Sequence, residues 1–287
     1  MHKSAAGVLC ASSALTTAVL LLLFPVFLDA DSSNAQVDVI HTSQGELRLR
    51  PLYHGSVMLE FGGKVIHVDA WSQGGYAGVP QGDLIVVTHT HADHLDRIMI
   101  DKLRKSGTII VGPPAVIDTL NCAPGCGDVE AISDSEHKTV MGIEFEGVPM
   151  YNIVRGSGPG KPFHHRGVGS GYVLNFGDTR VYFSGDTECT TEMKALKNIT
   201  VAFLSMNPPR TESTLEAAEC VKAFRPKIAY PYHYRGSKPE EFADALKGTG
   251  VEVRVRKLEG AVGIAWRELL QAAEELSKAA EKCSIKS

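Results

Sequence analysis

Within Thr88-His89-Thr90-His91-Ala92-Asp93-His94-Leu95-Asp96, three imidazoles and a carboxylate fall between His89 and His94. The run follows Leu84-Ile85-Val86-Val87-Thr88, a continuous apolar, β-branched segment of the kind that forms a strand buried on both faces. Side chains alternate with a period of two in extended chain, so His89 and His91 point the same way. Asp93 and His94 fall where a helix over 94–105 is predicted to begin, and there they can turn back toward the same point. Neutral imidazoles beside a carboxylate are a transition-metal ligand set, and burying them without a partner is costly. A solvated polar loop would explain the polarity of this segment but not its spacing.

Four further segments carry matching groups. Val65-Ile66-His67-Val68-Asp69 reads as a strand ending in a carboxylate, and Phe163-His164-His165-Arg166-Gly167 precedes a strand at Gly171. Val181-Tyr182-Phe183-Ser184-Gly185-Asp186-Thr187 and Ala229-Tyr230-Pro231-Tyr232-His233-Tyr234 each place a polar residue just past an apolar run. Taken in order, these segments resemble the HxHxDH signature and following motifs of the metallo-β-lactamase superfamily. Tyr53-His54-Gly55-Ser56, Tyr151-Asn152 and Gly185-Asp186-Thr187 look most like its ascorbate-6-phosphate-lactonase-like branch.

The resemblance implies an α/β fold, the four-layer αββα sandwich of the superfamily. It implies that His89, His91 and His164 hold one divalent metal, that Asp93, His94 and His233 hold a second, and that Asp186 bridges them. His164, rather than the adjacent His165, aligns with the ligand position. Zn²⁺ is the default for so His-rich a set, with Mn²⁺ or Fe²⁺ compatible with oxygen bridging. A hydroxide bridging the metals would attack an electrophilic carbonyl or phosphorus, and Asp93 or Asp186 would move the proton to the leaving group. Asp69 and Thr88 are expected to support the ligand loop from behind. His54, Tyr151, Asn152 and Arg235 are candidates for contact with a small-molecule substrate. Asp186 stands where one class of zinc β-lactamases has a cysteine, and His91 where flavodiiron relatives have a glutamate. These departures point to hydrolysis of an ester, lactone, thioester or phosphodiester. A non-catalytic binding protein on the same fold and a nuclease-type phosphodiesterase are the alternatives.

The elements that must position these groups are legible in outline. Strands are predicted at 46–50, 56–61, 64–69, 84–88, 108–111, 142–151, 171–176, 179–184, 200–204, 227–230, 251–255 and 261–264. Helices are predicted at 94–105, 113–120, 190–197, 214–224 and 239–247, the second opening on Pro113-Pro114, where proline suits a first turn. One domain over residues 36–265 follows, because no low-complexity linker interrupts it. Trp266, Leu269, Leu270, Ala273, Leu276 and Ala280 mark an amphipathic terminal helix over 266–287, expected to pack on the body.

Residues 1–35 have the order of a secretory signal: Met1-His2-Lys3, an uncharged stretch from Ser4 to Leu28, then small residues at Ser33 and Ala35. The expectation is export to a periplasm or medium, with membrane association only if this segment stays as an anchor. Cys122-Ala-Pro-Gly-Cys126 could close a disulfide across a Pro-Gly turn, whereas Cys189 reads as a buried, inert thiol. The net charge of −4 provides no broad basic surface, which argues against nucleic acid as a partner. Gly156–Pro162 superficially resembles a phosphate loop, but Lys161 is followed by proline rather than Ser or Thr. Asn198-Ile199-Thr200 is a glycosylation sequon, which matters only in a eukaryotic secretory path.

Overall fold

A computed structural model describes residues 36–120 and 128–258. The leader, Cys122 and Cys126, the strand expected at 261–264 and the terminal helix lie outside the described residues.

The first sheet takes its strands in chain order: β1 (Asp38–Thr42), β2 (Gly45–Tyr53), β3 (Ser56–Phe61), β4 (Lys64–Val68), β5 (Gly82–Val86), β6 (Arg104–Gly112) and β7 (Asp128–Ala131). Strands β1 to β4 form an antiparallel meander, and β4 to β7 run parallel. Parallel pairs need crossovers, and α1 (Arg97–Leu103) and α2 (Pro114–Leu120) supply those after β5 and β6. The second sheet contains β8 (His137–Val140), β9 (Ile143–Met150), β12 (Gly169–Phe176), β13 (Thr179–Phe183), β14 (Val201–Ser205), β15 (Ile228–Tyr232) and β16 (Glu252–Val253). A small hairpin, β10 (Gly156–Gly158) with β11 (Lys161–Pro162), stands apart from both sheets. Helices α3 (Thr191–Ala195), α4 (Thr214–Phe224) and α5 (Pro239–Ala245) connect the later strands.

Alternation in the strands builds the layers. In β5, Leu84 and Val86 join the large core between the sheets, while Ile85 joins a second cluster with Met99, Ile100 and Leu103 of α1 and Val116 of α2. In β13, Phe183 stacks on Phe203 of β14, which stacks on Tyr230 of β15, at centroid distances of 4.9 and 4.6 Å. The neighbouring Tyr182 meets Phe224 of α4 edge-on at 6.2 Å. Both sheets are thus covered on both faces, which gives the four-layer αββα sandwich.

Several boundaries differ from expectation. The helix predicted from His94 begins only after Asp96, whose carboxylate accepts the backbone N–H groups of Ile98 and Met99 at 2.9 and 3.2 Å. That cap leaves His94 in the preceding loop. Strands β1, β7 and β8 were not foreseen; they are short and largely exposed, so they lack the apolar run that marks a strand. Cys189 is not a free thiol: it is disulfide-bonded to Cys220 of α4, a partner 31 residues away that no spacing motif announces.

His67 of β4 is fully buried; its Nε2–H donates to the Pro80 carbonyl at 2.9 Å and its Nδ1 has no partner. Burial pushes its pKa down to about 4. The unfolded imidazole takes up its proton near pH 6.5 and the folded one only near 4, so stability is lost as pH falls through that window. His67→Gln is expected to remove about 2 kcal/mol of the loss between pH 7 and pH 5, measured as the difference in urea unfolding free energies of the two proteins.

Candidate metal centre

The loop after β5 is held by one carboxylate. Asp69, fully buried just past β4, accepts from the Thr88 backbone N–H at 2.8 Å, from the Thr88 hydroxyl at 2.7 Å and from His94 Nδ1 at 2.8 Å. The Thr88 hydroxyl also lies 3.0 Å from His89 Nδ1. With their Nδ1 atoms occupied, His89 and His94 turn Nε2 toward the same space. Asp69 and Thr88 therefore stand where the sequence reading puts them, behind the imidazoles.

Two groups of donors face each other across Asp186. On one side, His91 Nδ1 lies 3.1 Å from His89 Nε2 and 3.2 Å from His164 Nε2. Asp186 Oδ2 lies 3.6 Å from His164 Nε2 and 4.0 Å from His89 Nε2. On the other side, Asp186 Oδ1 lies 3.3 Å from His233 Nε2 and 3.5 Å from His94 Nε2. Asp93 Oδ2 completes that side, 3.4 Å from His233 Nε2 and 4.0 Å from His94 Nε2. The donor atoms of His89, His91, His164 and Asp186 lie within 4.8 Å of one another, as do those of His94, Asp186 and His233. One oxygen of Asp186 serves each group.

The chemistry of these donors fits divalent metals. Burial first, and the neighbouring imidazoles after it, hold His89 well below its ordinary pKa. Burial likewise lowers His91, and with His91, His94 and His233 nearby pushes His164 down to about 4. These three imidazoles are therefore neutral, the form that donates a lone pair. Burial opposes charge on Asp186, but His233 and His94 hold its carboxylate ionised, well below the usual range. Meanwhile His94 Nε2, Asp186 Oδ1 and both ring nitrogens of His233 are buried without a hydrogen-bond partner. Clustered orphan donors of this kind are costly unless a cation satisfies them.

His164 enters the centre and His165 stays exposed. The cause is Asn152, whose Oδ1 accepts from His164 N at 2.8 Å and sits 2.7 Å from His164 Nδ1. Its Nδ2 donates to Arg210 O at 2.7 Å and to Glu188 Oε1 at 3.2 Å. Asn152, expected at the substrate, instead stands behind His164 with both ends of its amide occupied. Asn152→Ala is expected to cost about 10–100-fold in metal affinity at the side His164 serves, read by competition with a chromogenic chelator.

The other substrate candidates divide. His54, with φ of 53° and a ring centroid 3.7 Å from that of His233, places Nε2 3.3 Å from Asp93 Oδ2. Arg235 is exposed beside it, its guanidinium 5.3 Å above the Trp71 ring, which in turn lies 5.2 Å from His54. Tyr151 differs from expectation: its hydroxyl donates to Glu192 at 3.0 Å and Arg166 covers its ring. Sequence reasoning missed Glu188, Trp71 and Arg210. Arg210 stacks on Phe163 at 5.5 Å, and its charge reaches His91. The only signal for it was its place beside Pro208-Pro209.

Gly185 shows why the approach to Asp186 is tight. Its φ is 61°, and an added Cβ would press on Met150 and lie 3.2 Å from Thr88 Cβ. Glycine alone meets both demands, and its N–H donates to the buried Tyr232 hydroxyl at 2.9 Å.

Comparison with known proteins places this geometry in a family. Residues 48–233 match the beta-lactamase superfamily domain. A UPF0173 metal-dependent hydrolase of Aeropyrum pernix is 31% identical over 228 residues, covering 74% of this chain and 94% of the relative. One of Pyrococcus horikoshii is 31% identical over 228 residues, covering 74% and 96%. A crystal structure from Parabacteroides distasonis ATCC 8503, assigned as a metal-dependent hydrolase, shares 38% identity with a TM-score of 0.72, covering 78% of this chain and 99% of that one. Igni18, a metallo hydrolase of Ignicoccus hospitalis KIN4/I, is 21% identical with a TM-score of 0.62, covering 75% and 96%, and shares the fold. With its domain match, its relatives and its His/Asp cluster in agreement, the chain belongs to the metallo-β-lactamase superfamily, beside the UPF0173 metal-dependent hydrolases.

Proposed function

We propose that this metal-dependent hydrolase is dinuclear and cleaves an ester, lactone, thioester or phosphodiester bond of a small molecule. The observation that carries this reading is the division of Asp186, with Oδ2 toward His89 and His164 and Oδ1 toward His94 and His233. His89, His91 and His164 would hold one cation, Asp93, His94 and His233 the other, and Asp186 both. Zn²⁺ suits the nitrogen-rich set, and Mn²⁺ or Fe²⁺ remain compatible with its carboxylates. When bound, such cations polarise a carbonyl or phosphoryl oxygen and lower the pKa of water.

The chain's own groups do the rest. Asp93 is the acidic member of the centre that solvent reaches, with 30% of its side chain exposed. Although burial works against its charge, the His233 and His54 imidazoles, whose Nε2 atoms lie 3.4 and 3.3 Å from Oδ2, hold its carboxylate ionised, far below the usual range. Its exposed position beside the centre, rather than its basicity, is what suits it to relay a proton to a leaving group. His54 steadies Asp93, and Trp71 with Arg235 forms a wall beside them. Arg210 and Arg235 have no ion-pair partner among the described residues, which favours a substrate bearing negative charge.

Export belongs to the same proposal. It is supported by the charged, apolar, small-residue order of residues 1–35 and by the Cys189–Cys220 disulfide, a bond suited to oxidising compartments.

The test combines elemental analysis of protein purified from metal-supplemented medium with a panel of lactone, ester, thioester and phosphodiester substrates. About two transition-metal ions per chain and turnover of one class is the expected result. Protein carrying no transition metal overturns the dinuclear reading. A fully loaded protein inert across the panel points instead to a binding protein on this fold.

A further inference from the structure

Outside the histidine centre, one cluster of potential ligands has no assigned task. Cys189 follows Asp186 by three residues and is bonded to Cys220 of α4, with Cα atoms 5.6 Å apart. The carboxyl group of Glu212 reaches the same spot, so that one ligand atom from each of the three residues lies within 4.8 Å of the others. None of the three belongs to the histidine centre.

Glu212 is fully buried, and neither of its carboxyl oxygens has a hydrogen-bond partner. Native structures rarely leave such a group unsatisfied without a reason such as an absent ion. Disulfide sulfurs carry no proton and so donate nothing to it. Burial first, then the nearby Glu216, push its pKa well above the carboxylate range, so the group is neutral as it stands. A further soft donor is close, since Met193 Sδ lies 3.0 Å from Cys220 Sγ. A cavity of about 420 Å³, whose lining includes Cys189, Glu212, Arg155, Lys194 and Leu215, leads in from solvent.

We propose that Cys189, Cys220 and Glu212 form a second metal site, which takes a thiophilic divalent cation of the Zn²⁺ type once the disulfide is reduced. Thiolates select such cations, and a carboxylate completes a familiar zinc donor set. A dithiol reductant supplies the two electrons that break the S–S bond; it becomes a disulfide itself, and its two protons pass to the cysteine sulfurs. Cation binding then displaces these two thiol protons and the Glu212 carboxyl proton to solvent. Two thiolates and one carboxylate leave the occupied site with one net negative charge. The fields of Arg155, itself paired with Glu188 and Glu216, and of Lys194 reach Glu212. A small-molecule disulfide reverses this binding: it takes two electrons from the two thiolates and two protons from solvent, leaving as thiols. The re-formed S–S bond withdraws two ligands and releases the cation while Glu212 regains its proton, so occupancy follows the redox state around the protein.

The test uses the full chain with its histidine centre loaded with Zn²⁺ and free metal removed. The protein is reduced with a phosphine and titrated with Cd²⁺, and thiolate-to-cadmium charge-transfer absorbance is followed. The histidine centre contains no sulfur and is silent in this signal. Reduced wild type is expected to show a saturable absorbance increment that the unreduced protein lacks. Glu212→Gln keeps every cysteine of the chain, and is expected to weaken that increment's binding at least tenfold. Cys189→Ser is expected to abolish it. Should Cys189→Ser fail to fold, the Glu212→Gln arm decides alone. Superimposable titrations of wild type and Glu212→Gln overturn the proposal, as do equal titrations of reduced and unreduced wild type.

Discussion

Asp186→Asn is expected to lower kcat/KM by about 10³-fold or more and to reduce bound metal from about two ions per chain to about one or none. Asparagine has nearly the same volume as aspartate, so the buried position is filled as before. What disappears is the charge and one of two acceptor oxygens, and each oxygen faces a different set of imidazoles. A neutral amide can serve one set, and its NH₂ group then points at the other and repels a cation there. Losing a metal's share of transition-state charge stabilisation costs several kcal/mol, and each 1.36 kcal/mol is tenfold in rate. The metal-free variant is expected to be somewhat less stable than metal-free wild type yet still folded, because His233 and His94 favour the ionised carboxylate in the folded chain. Elemental analysis, steady-state kinetics and urea unfolding of the stripped proteins together separate a lost ligand from a lost fold. Wild-type metal content with wild-type turnover would remove Asp186 from the bridging position.

The candidate ligands of the first segment, His89, His91, Asp93 and His94, were legible from local geometry, whereas His164, Asp186 and His233 came from the family resemblance. His89 and His91 lie on one face of extended chain by period alone, His94 falls at the start of a predicted helix, and Asp186 and His233 each sit just past a predicted strand. Choosing His164 over His165 needed the family resemblance, since two adjacent histidines after a phenylalanine are equivalent by composition. The structure supplies the physical reason in Asn152, which fixes both the backbone and the ring of His164. That role could not be read beforehand, because it depends on a contact twelve residues away and on Glu188 from a separate loop. The Cys189–Cys220 bond was hidden for the same reason. Short, exposed β1, β7 and β8 were missed because their pairing partners, and not their own side chains, make them strands. Periodicity reports burial faces, and groups that act through long-range polar contacts leave no such trace.

Asp69→Ala is expected to have the largest effect on stability and to weaken metal binding as well. Three buried donors converge on this carboxylate: Thr88 N–H, the Thr88 hydroxyl and His94 Nδ1–H. Leaving a buried donor unpaired costs about 1–3 kcal/mol, and breaking a buried ion pair about 3–5 kcal/mol, so a loss of about 3–5 kcal/mol is expected in the metal-free protein. The backbone adds to this, since Asp69 has a φ of 46°, a region that aspartate and asparagine tolerate better than alanine. Asp69→Asn therefore separates the two contributions: it keeps the backbone preference and one acceptor oxygen while removing the charge. It is expected to fold with an intermediate loss of stability, yet to bind metal about 10–100-fold more weakly, because His94 is no longer held with Nε2 toward Asp186. Urea unfolding of both variants without metal, followed by metal titration of Asp69→Asn, measures the two effects independently. If Asp69→Ala unfolds at the wild-type midpoint, this carboxylate does not hold the ligand loop. If Asp69→Asn binds metal as wild type does, the charge on Asp69 is not what orients His94.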